Sequence, residues 1–251
     1  MRADQLLVER GLASSRSQAQ RLIASGVRWL DRGSWKRIAK NGDEVPLQAQ
    51  IELLDLAEAR YVSRGGLKLE GALRASGVSV EGKRCLDVGQ STGGFTDCLL
   101  QHGATQVTGV DVGHGQLHDK VRSDPRVLAI EQVNARELTA EHVGSEFDLI
   151  TGDLSFISLT LVLPELVPLL QPGGDLLMLV KPQFELQPGQ VGKGGIVTDA
   201  SLNAVVERRI RDCCDALGLQ VRGWFDSAIT GGDGNREYFV HATTRTSRSA
   251  A

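Results

Sequence analysis

The segment Leu86-Asp87-Val88-Gly89-Gln90-Ser91-Thr92-Gly93-Gly94-Phe95-Thr96-Asp97 decides how the rest of the chain is read. An apolar strand, Arg84 to Val88, runs into a glycine-rich turn and then into a helical pattern. Glycines at a strand-to-helix turn let the backbone approach a bound ligand closely. The spacing lacks the Gly-x-Gly-x-x-Gly of a dehydrogenase, which disfavours a nicotinamide cofactor. Gly89 to Gly93 also matches the Gly-x-Ser-x-Gly nucleophile elbow, with Asp153 and His241 following in order. A hydrolase places several strands before its elbow. Here the turn follows the first strand of its sheet, so a hydrolase is disfavoured.

Downstream of that turn, apolar strand candidates alternate with helical patterns. They are Gln106 to Val110, Val127 to Ile130, Phe147 to Thr151 and Asp175 to Val180. This alternation predicts an α/β doubly wound sheet, closed by a hairpin-like pair at Leu219 to Asp226 and Arg236 to Thr243. Asp111 ends the second strand, where a carboxylate can accept from ribose hydroxyls of an adenosine-containing ligand. Asn134 follows the third strand, where an amide can read an adenine edge. Four ionisable residues fall at strand ends or beside them: Lys68, Asp153, Lys181 and Glu237, the last placed in the final strand. A lysine buried at such a place must be paired or lose its charge. The loop Pro182 to Val197, glycine-rich and bearing Lys193, reads as a mobile lid.

Upstream, residues 1–59 alternate short helices and short strands. Ala3 to Glu9 places Leu6 and Leu7 on one helical face. Ser15 and Gln18 have capping-box spacing ahead of Ala19, Leu22 and Ile23, and Gly26 stops the helix. Val27 to Leu30, a turn at Asp31 to Ser34, and Trp35 to Ala39 read as a hairpin, with Gln50 to Leu54 as a further strand. Residues 1–40 carry nine Lys and Arg against Asp4, Glu9 and Asp31, while the whole chain has a net charge of −3. A basic head on an acidic body suits contact with phosphates. No apolar run reaches membrane-spanning length, and no signal core opens the chain, so the expectation is a cytoplasmic protein. Cys85, Cys98, Cys213 and Cys214 form no Cys-x-x-Cys pair, and no metal is expected.

Six segments in order carry a resemblance that covers nearly the whole chain: YVSRGGLKLEGAL, LDVGQSTGGFTDCLL, GVDVGHGQL, GDLSFISL, LVKPQFE and GNREYF. They resemble the TlyA family, often labelled hemolysin A, in which an S-four-type RNA-binding domain precedes an FtsJ-type ribose 2′-O-methyltransferase domain. The opening MRADQLLVERGLASSRSQAQRLIASG is similar to the S-four-type domain itself. The resemblance implies a Rossmann-like class I methyltransferase sheet with a small N-terminal α+β domain. It divides the chain into residues 1–59, 60–246 and a polar tail, 247–251. It implies S-adenosylmethionine as cofactor, held by Asp87, Gly89, Gln90, Ser91, Thr92, Gly93, Gly94, Phe95, Asp111, Val112, Asn134 and Asp153. It implies a tetrad of Lys68, Asp153, Lys181 and Glu237, with Lys181 as general base, and RNA contacts from Arg2, Arg16, Arg21, Arg64 and Lys193. The implied partner is ribosomal RNA or a ribosomal subunit, methylated at cytidine by a monomer.

Three departures stand out. The hairpin after Gly26 carries Trp29 and Trp35 where the family has a short basic turn. Gln90 replaces a small residue beside the cofactor, and Ala228 replaces a proline ahead of an unusually glycine-rich loop, residues 229–234. The last two keep alive a second reading, an RNA-binding assembly factor with weakened catalysis. A membrane-active role, suggested by the hemolysin label alone, ranks third.

Overall fold

The computed structural model describes residues 1–54 and 60–244, and its contacts divide the chain into two compact units, Met1–Leu67 and Lys68–Ala251. The boundary expected after residue 59 abuts residues that are not described, and the expected tail, 247–251, lies outside the described residues.

In the first unit, α1 (Ala3–Glu9) and α2 (Arg16–Gly26) precede β1 (Val27–Asp31), β2 (Ser34–Arg37) and β3 (Ile51–Leu53). The strands form an antiparallel sheet in the order β2-β1-β3. Ser15 caps α2 by accepting from Gln18 N at 3.2 Å, as the capping spacing predicts. Gly26, at φ 135°, turns the chain straight from helix into strand. Leu6, Leu7, Leu22, Ile23 and Val27 form the core of this unit. The second strand stops two residues early because Ala39 and Lys40 give their amide hydrogens to Asp43 Oδ2, at 2.8 and 2.9 Å.

The second unit holds α3 (Gly65–Ser76, from Lys68 onward), α4 (Gly94–Gln101) and α5 (Ser201–Ala216) around one sheet. Its strands are β4 (Arg84–Val88), β5 (Gln106–Asp111), β6 (Val127–Glu131), β7 (Phe147–Gly152), β8 (Leu170–Val180), β9 (Leu219–Asp226) and β10 (Tyr238–Thr244). They lie in the order β6-β5-β4-β7-β8-β10-β9. β4 to β8 are mutually parallel, and β10 runs antiparallel between β8 and β9. This is the Rossmann-like α/β doubly wound sheet that the alternation implied.

Cys85 to Val88 are all buried, as a strand covered on both faces requires. Phe147 and Phe239 are the largest fully buried side chains. β8 starts five residues before the predicted Asp175, because Leu170 already pairs with Phe147; Gln171 to Gly174 span an irregularity in that ladder and carry little apolar pattern. The chain order reverses at β4, which lies between β5 and β7. That topology opens a crevice outside the carboxyl ends of these strands.

Candidate active site

Four charged side chains of the second unit meet at that crevice. Asp153 follows β7, Lys181 follows β8, Lys68 stands on α3, and Glu237 immediately precedes β10 rather than lying within it. Lys181 Nζ is 2.5 Å from Asp153 Oδ1, and Lys68 Nζ is 2.5 Å from Glu237 Oε2 and 3.8 Å from Asp153 Oδ2. Charge therefore alternates along the row Lys181, Asp153, Lys68, Glu237. Lys181 also donates to Ser155 Oγ at 2.9 Å. Burial pushes the Glu237 carboxyl up, opposed by its bond from Lys68. Lys181 and Lys68 are nearly enclosed, at 11% and 9% side-chain exposure, so neither charge is held by solvent alone.

Beside this row the turn after β4 forms a cradle. Gly89 sits at φ 83°, and a Cβ there would come within 2.7 Å of the Asp153 carbonyl oxygen. Only glycine lets the turn pass so close. Ser91 N donates to Asp111 Oδ2 at 2.7 Å and Gly113 N to Asp111 Oδ1 at 2.6 Å, so one carboxylate joins the loops after β4 and β5. Each oxygen retains a second lone pair for a ribose hydroxyl. Ser91, Thr92 and Val112 are exposed, and Asn134 commits its Oδ1 to Arg136 N, leaving its amide nitrogen to donate. Glycine cradle, acidic strand end and outward Val112 together fit an adenosine-bearing cofactor.

Three of the expected cofactor residues face elsewhere. Phe95 is 3% exposed and stacks on Phe239 with centroids 6.1 Å apart, so it is a core residue. Gln90 turns inward and fills the space above Gly109, where a Cβ would lie 2.0 Å from its amide. Its Nε2 donates to Thr96 Oγ1 at 2.9 Å, and that hydroxyl donates to Asp87 Oδ2 at 2.7 Å. Gln90 therefore braces the turn from behind and does not crowd the cradle. Asp87 is fully buried at the end of this relay, and burial pushes its carboxyl up to about 7 despite the bond from Thr96. The folded state then keeps a proton that the unfolded state, at its ordinary value of 3.8, has released. Stability should fall as pH rises from about 4 to about 7, and Asp87→Asn should flatten that fall in denaturant titrations across the window. An unchanged slope in the variant would place the titration on another group.

The histidine expected to serve the nucleophile elbow lies away from it. His241 Nε2 bonds Asp175 Oδ1 at 2.9 Å, and Asp175 lies opposite Leu149, at the beginning of β7. Ser91 follows the other end of the sheet.

Sequence reading missed several residues that shape the site. Glu185, 3% exposed, accepts from Ser158 Oγ at 2.5 Å and from Leu159 N at 2.7 Å. It ties the loop after β7 to the loop after β8, and its place in LVKPQFE was the available signal. Asn235 stitches the expected lid: Val197 N donates to its Oδ1 at 2.9 Å, and its Nδ2 donates to Gly195 O at 2.8 Å. Within that segment Lys193 is exposed. Phe156, 89% exposed at φ 64°, holds its ring 5.1 Å from Phe184 beside Ser155. The departures ahead of β10 also find contacts. Ala228 lies over Gly71, and a Cβ on Gly231 would come within 2.8 Å of Glu237 Oε1.

In the first unit, Arg2 and Arg16 converge on the buried Asp4. Arg2 Nε is 3.1 Å from Oδ1 and Arg16 Nη2 is 3.0 Å from Oδ2, which holds the Asp4 carboxyl well below the usual carboxylate range. Both guanidinium groups stay about half exposed, fixed in orientation and open to a further anion. Arg21 on α2 and Arg64 are half-buried.

Among the described residues no His, Cys, Asp and Glu side chains group as metal ligands, and no helix is long and apolar enough to cross a membrane. A family model described as FtsJ-like methyltransferase matches residues 61–244, and an S4 domain model matches residues 1–26. The chain is 45% identical to the 16S/23S rRNA (cytidine-2'-O)-methyltransferase TlyA of Mycobacterium tuberculosis, over 99% of this chain and 91% of that protein. It is 39% identical to Hemolysin A of Brachyspira hyodysenteriae, over 96% of this chain and 99% of that one. The solved structure of a hemolysin candidate from Streptococcus thermophilus matches with a TM-score of 0.75 at 40% identity, covering 98% of this chain and 88% of that one.

Proposed function

This chain belongs to the FtsJ-like methyltransferase family, and from that membership we propose that it methylates ribose 2′-hydroxyls of ribosomal RNA, at cytidine. The observation that carries the reading is the alternating row Lys181, Asp153, Lys68, Glu237 within one crevice. S-adenosylmethionine, which the family implies, would be held by Gly89, Ser91, Thr92, Gly93, Asp111, Val112 and Asn134. When bound it supplies an electron-poor methyl group. Lys181 Nζ, as the neutral amine, would take the proton of the 2′-hydroxyl, and the bound cofactor would supply the methyl group that the oxygen gains. Asp153 holds Lys181 in place, and Lys68, itself anchored by Glu237, balances the charge on Asp153. Positioning of the 2′-hydroxyl beside Lys181 and against the transferable methyl would supply much of the acceleration. Phe156 offers an exposed ring on which an extruded base can stack. Arg2, Arg16, Arg21, Arg64 and Lys193 supply phosphate contacts, and a ribosomal substrate places the reaction in the cytoplasm.

The test is tritium transfer from labelled S-adenosylmethionine to ribosomal subunits from a strain lacking this gene, followed by nuclease digestion. Label in a 2′-O-methylcytidine is the expected result. Tight subunit binding without label would replace catalysis with a role in assembly.

A further inference from the structure

The hairpin of β1 and β2 is where this chain departs most from the S-four-type pattern, and its two tryptophans part company. The register pairs Arg28 with Arg37, Trp29 with Lys36, and Leu30 with Trp35. Strand alternation therefore sets Arg28, Leu30, Trp35 and Arg37 on one face and Trp29, Asp31, Ser34 and Lys36 on the other. Trp29 packs against the core of the first unit. Trp35 does not: it is 42% exposed, on a strand whose residues are all exposed. Full burial of so large a ring ordinarily contributes one of the largest single terms to a small core, so leaving it at the surface forgoes that gain.

The surroundings of Trp35 are cationic and ordered. The Arg28 guanidinium lies over its ring, 4.8 Å from the centroid, and Arg28 Nε donates to Glu52 Oε2 at 2.6 Å. A plane of charge is thus fixed against one side of the indole by a carboxylate on β3. Arg37 stands opposite Arg28 and is exposed, and Arg32 stands at the turn at φ 47°. Over residues 27–40 there are five Lys and Arg against Asp31 alone. An apolar protein partner would find few apolar neighbours here, whereas an aromatic ring flanked by guanidinium groups suits a nucleobase with its phosphates.

We infer that the outer face of this hairpin is a second RNA-contact surface, on which an unpaired base stacks on Trp35 while Arg37 and Arg32 meet the flanking phosphates. The inference rests on the ribosomal-RNA reading above, because it needs a structured RNA with unpaired positions.

The experiment measures binding of the full-length chain to ribosomal subunits from a strain lacking the gene, across a series of salt concentrations. Methyl transfer by the unmodified protein is measured on the same subunits. Trp35→Ala should weaken binding about tenfold with an unchanged salt slope, because a stacked base and no phosphate contact is lost. Trp35→Phe should recover most of that loss, which a misfolded hairpin would not allow. Arg37→Ala should lower the magnitude of the slope by about one. Trp35→Ala binding as tightly as the unmodified protein, while that protein methylates the subunits, would overturn the hairpin site and leave the activity standing. Trp35-dependent binding without methyl transfer would leave the hairpin site standing and overturn the activity.

Discussion

Lys181→Ala should slow methyl transfer by about 10²- to 10⁴-fold, the range over which a positioned general base acts, with cofactor affinity changed less than twofold. Lys181 contacts Asp153 and Ser155 from the end of β8 and is not among the residues that form the glycine cradle after β4. Its removal leaves Asp153 with Lys68 at 3.8 Å, so the carboxylate keeps one cation and the fold keeps most of its balance. Lys181→Arg separates a base from a mere ion-pair partner. Arginine preserves the charge opposite Asp153 but does not give up its proton near neutral pH. A structural role would be rescued by arginine, whereas a catalytic one would not. Single-turnover transfer to subunits, with cofactor binding measured separately by calorimetry, reads both. Full turnover in either variant would move the proton transfer to another group.

Gly109→Ala should cost about 1–3 kcal/mol of stability, as overpacking of a filled core does. The backbone at Gly109 is ordinary, so the cost comes from the Gln90 amide occupying the space that the new methyl needs. Displaced, Gln90 loses its bond to Thr96 and leaves the Asp87 relay without its outer member. Gln90→Ala alone should also destabilise, because it empties the space above Gly109. The two changes together should be better tolerated than the sum of the separate costs, with a coupling of about 0.5–3 kcal/mol. Denaturant unfolding of the four proteins measures it. Strict additivity would mean that the Gln90 side chain does not fill that space. The same cycle bears on the assembly-factor reading, since a glutamine braced behind the turn gives no reason for weakened catalysis.

Residues that end buried apolar strands were legible in the sequence. Asp153 and Lys181 stand out because each follows a strongly apolar run, and the doubly wound pattern brings the ends of those runs to one crevice. Lys68 and Glu237 were legible more weakly, as charged residues on the opening helix and in the predicted last strand, and resemblance supplied their grouping with the other two. Gln90 and Phe95 were assigned to the cofactor by position in the motif. In the fold both side chains turn away from the crevice, one onto Gly109 and the other onto Phe239. Local sequence does not encode that choice, since it depends on a glycine in β5 and a phenylalanine in β10. The contacts of Glu185 and Asn235 were hidden for a related reason. Their partners include backbone groups of Leu159, Gly195 and Val197, and a backbone amide leaves no trace in residue type.

The reversed strand β10 has a consequence for the order in which the machinery is assembled. Parallel strands deliver only their last residues to the crevice, so a further residue must come from a long loop or from a strand entering at that edge. β10 enters there, bringing Glu237 with its first step, and it is also the bridge by which β9 joins the sheet. The second unit thus completes its sheet and its row of charges in one pairing event between distant parts of the chain, the kind that pays its loop entropy before any reward. A chain caught before that event would hold the glycine turn and Lys181 while Lys68 lacked its carboxylate anchor. A variant in which that pairing is loosened is therefore expected to lose turnover before it loses the glycine turn.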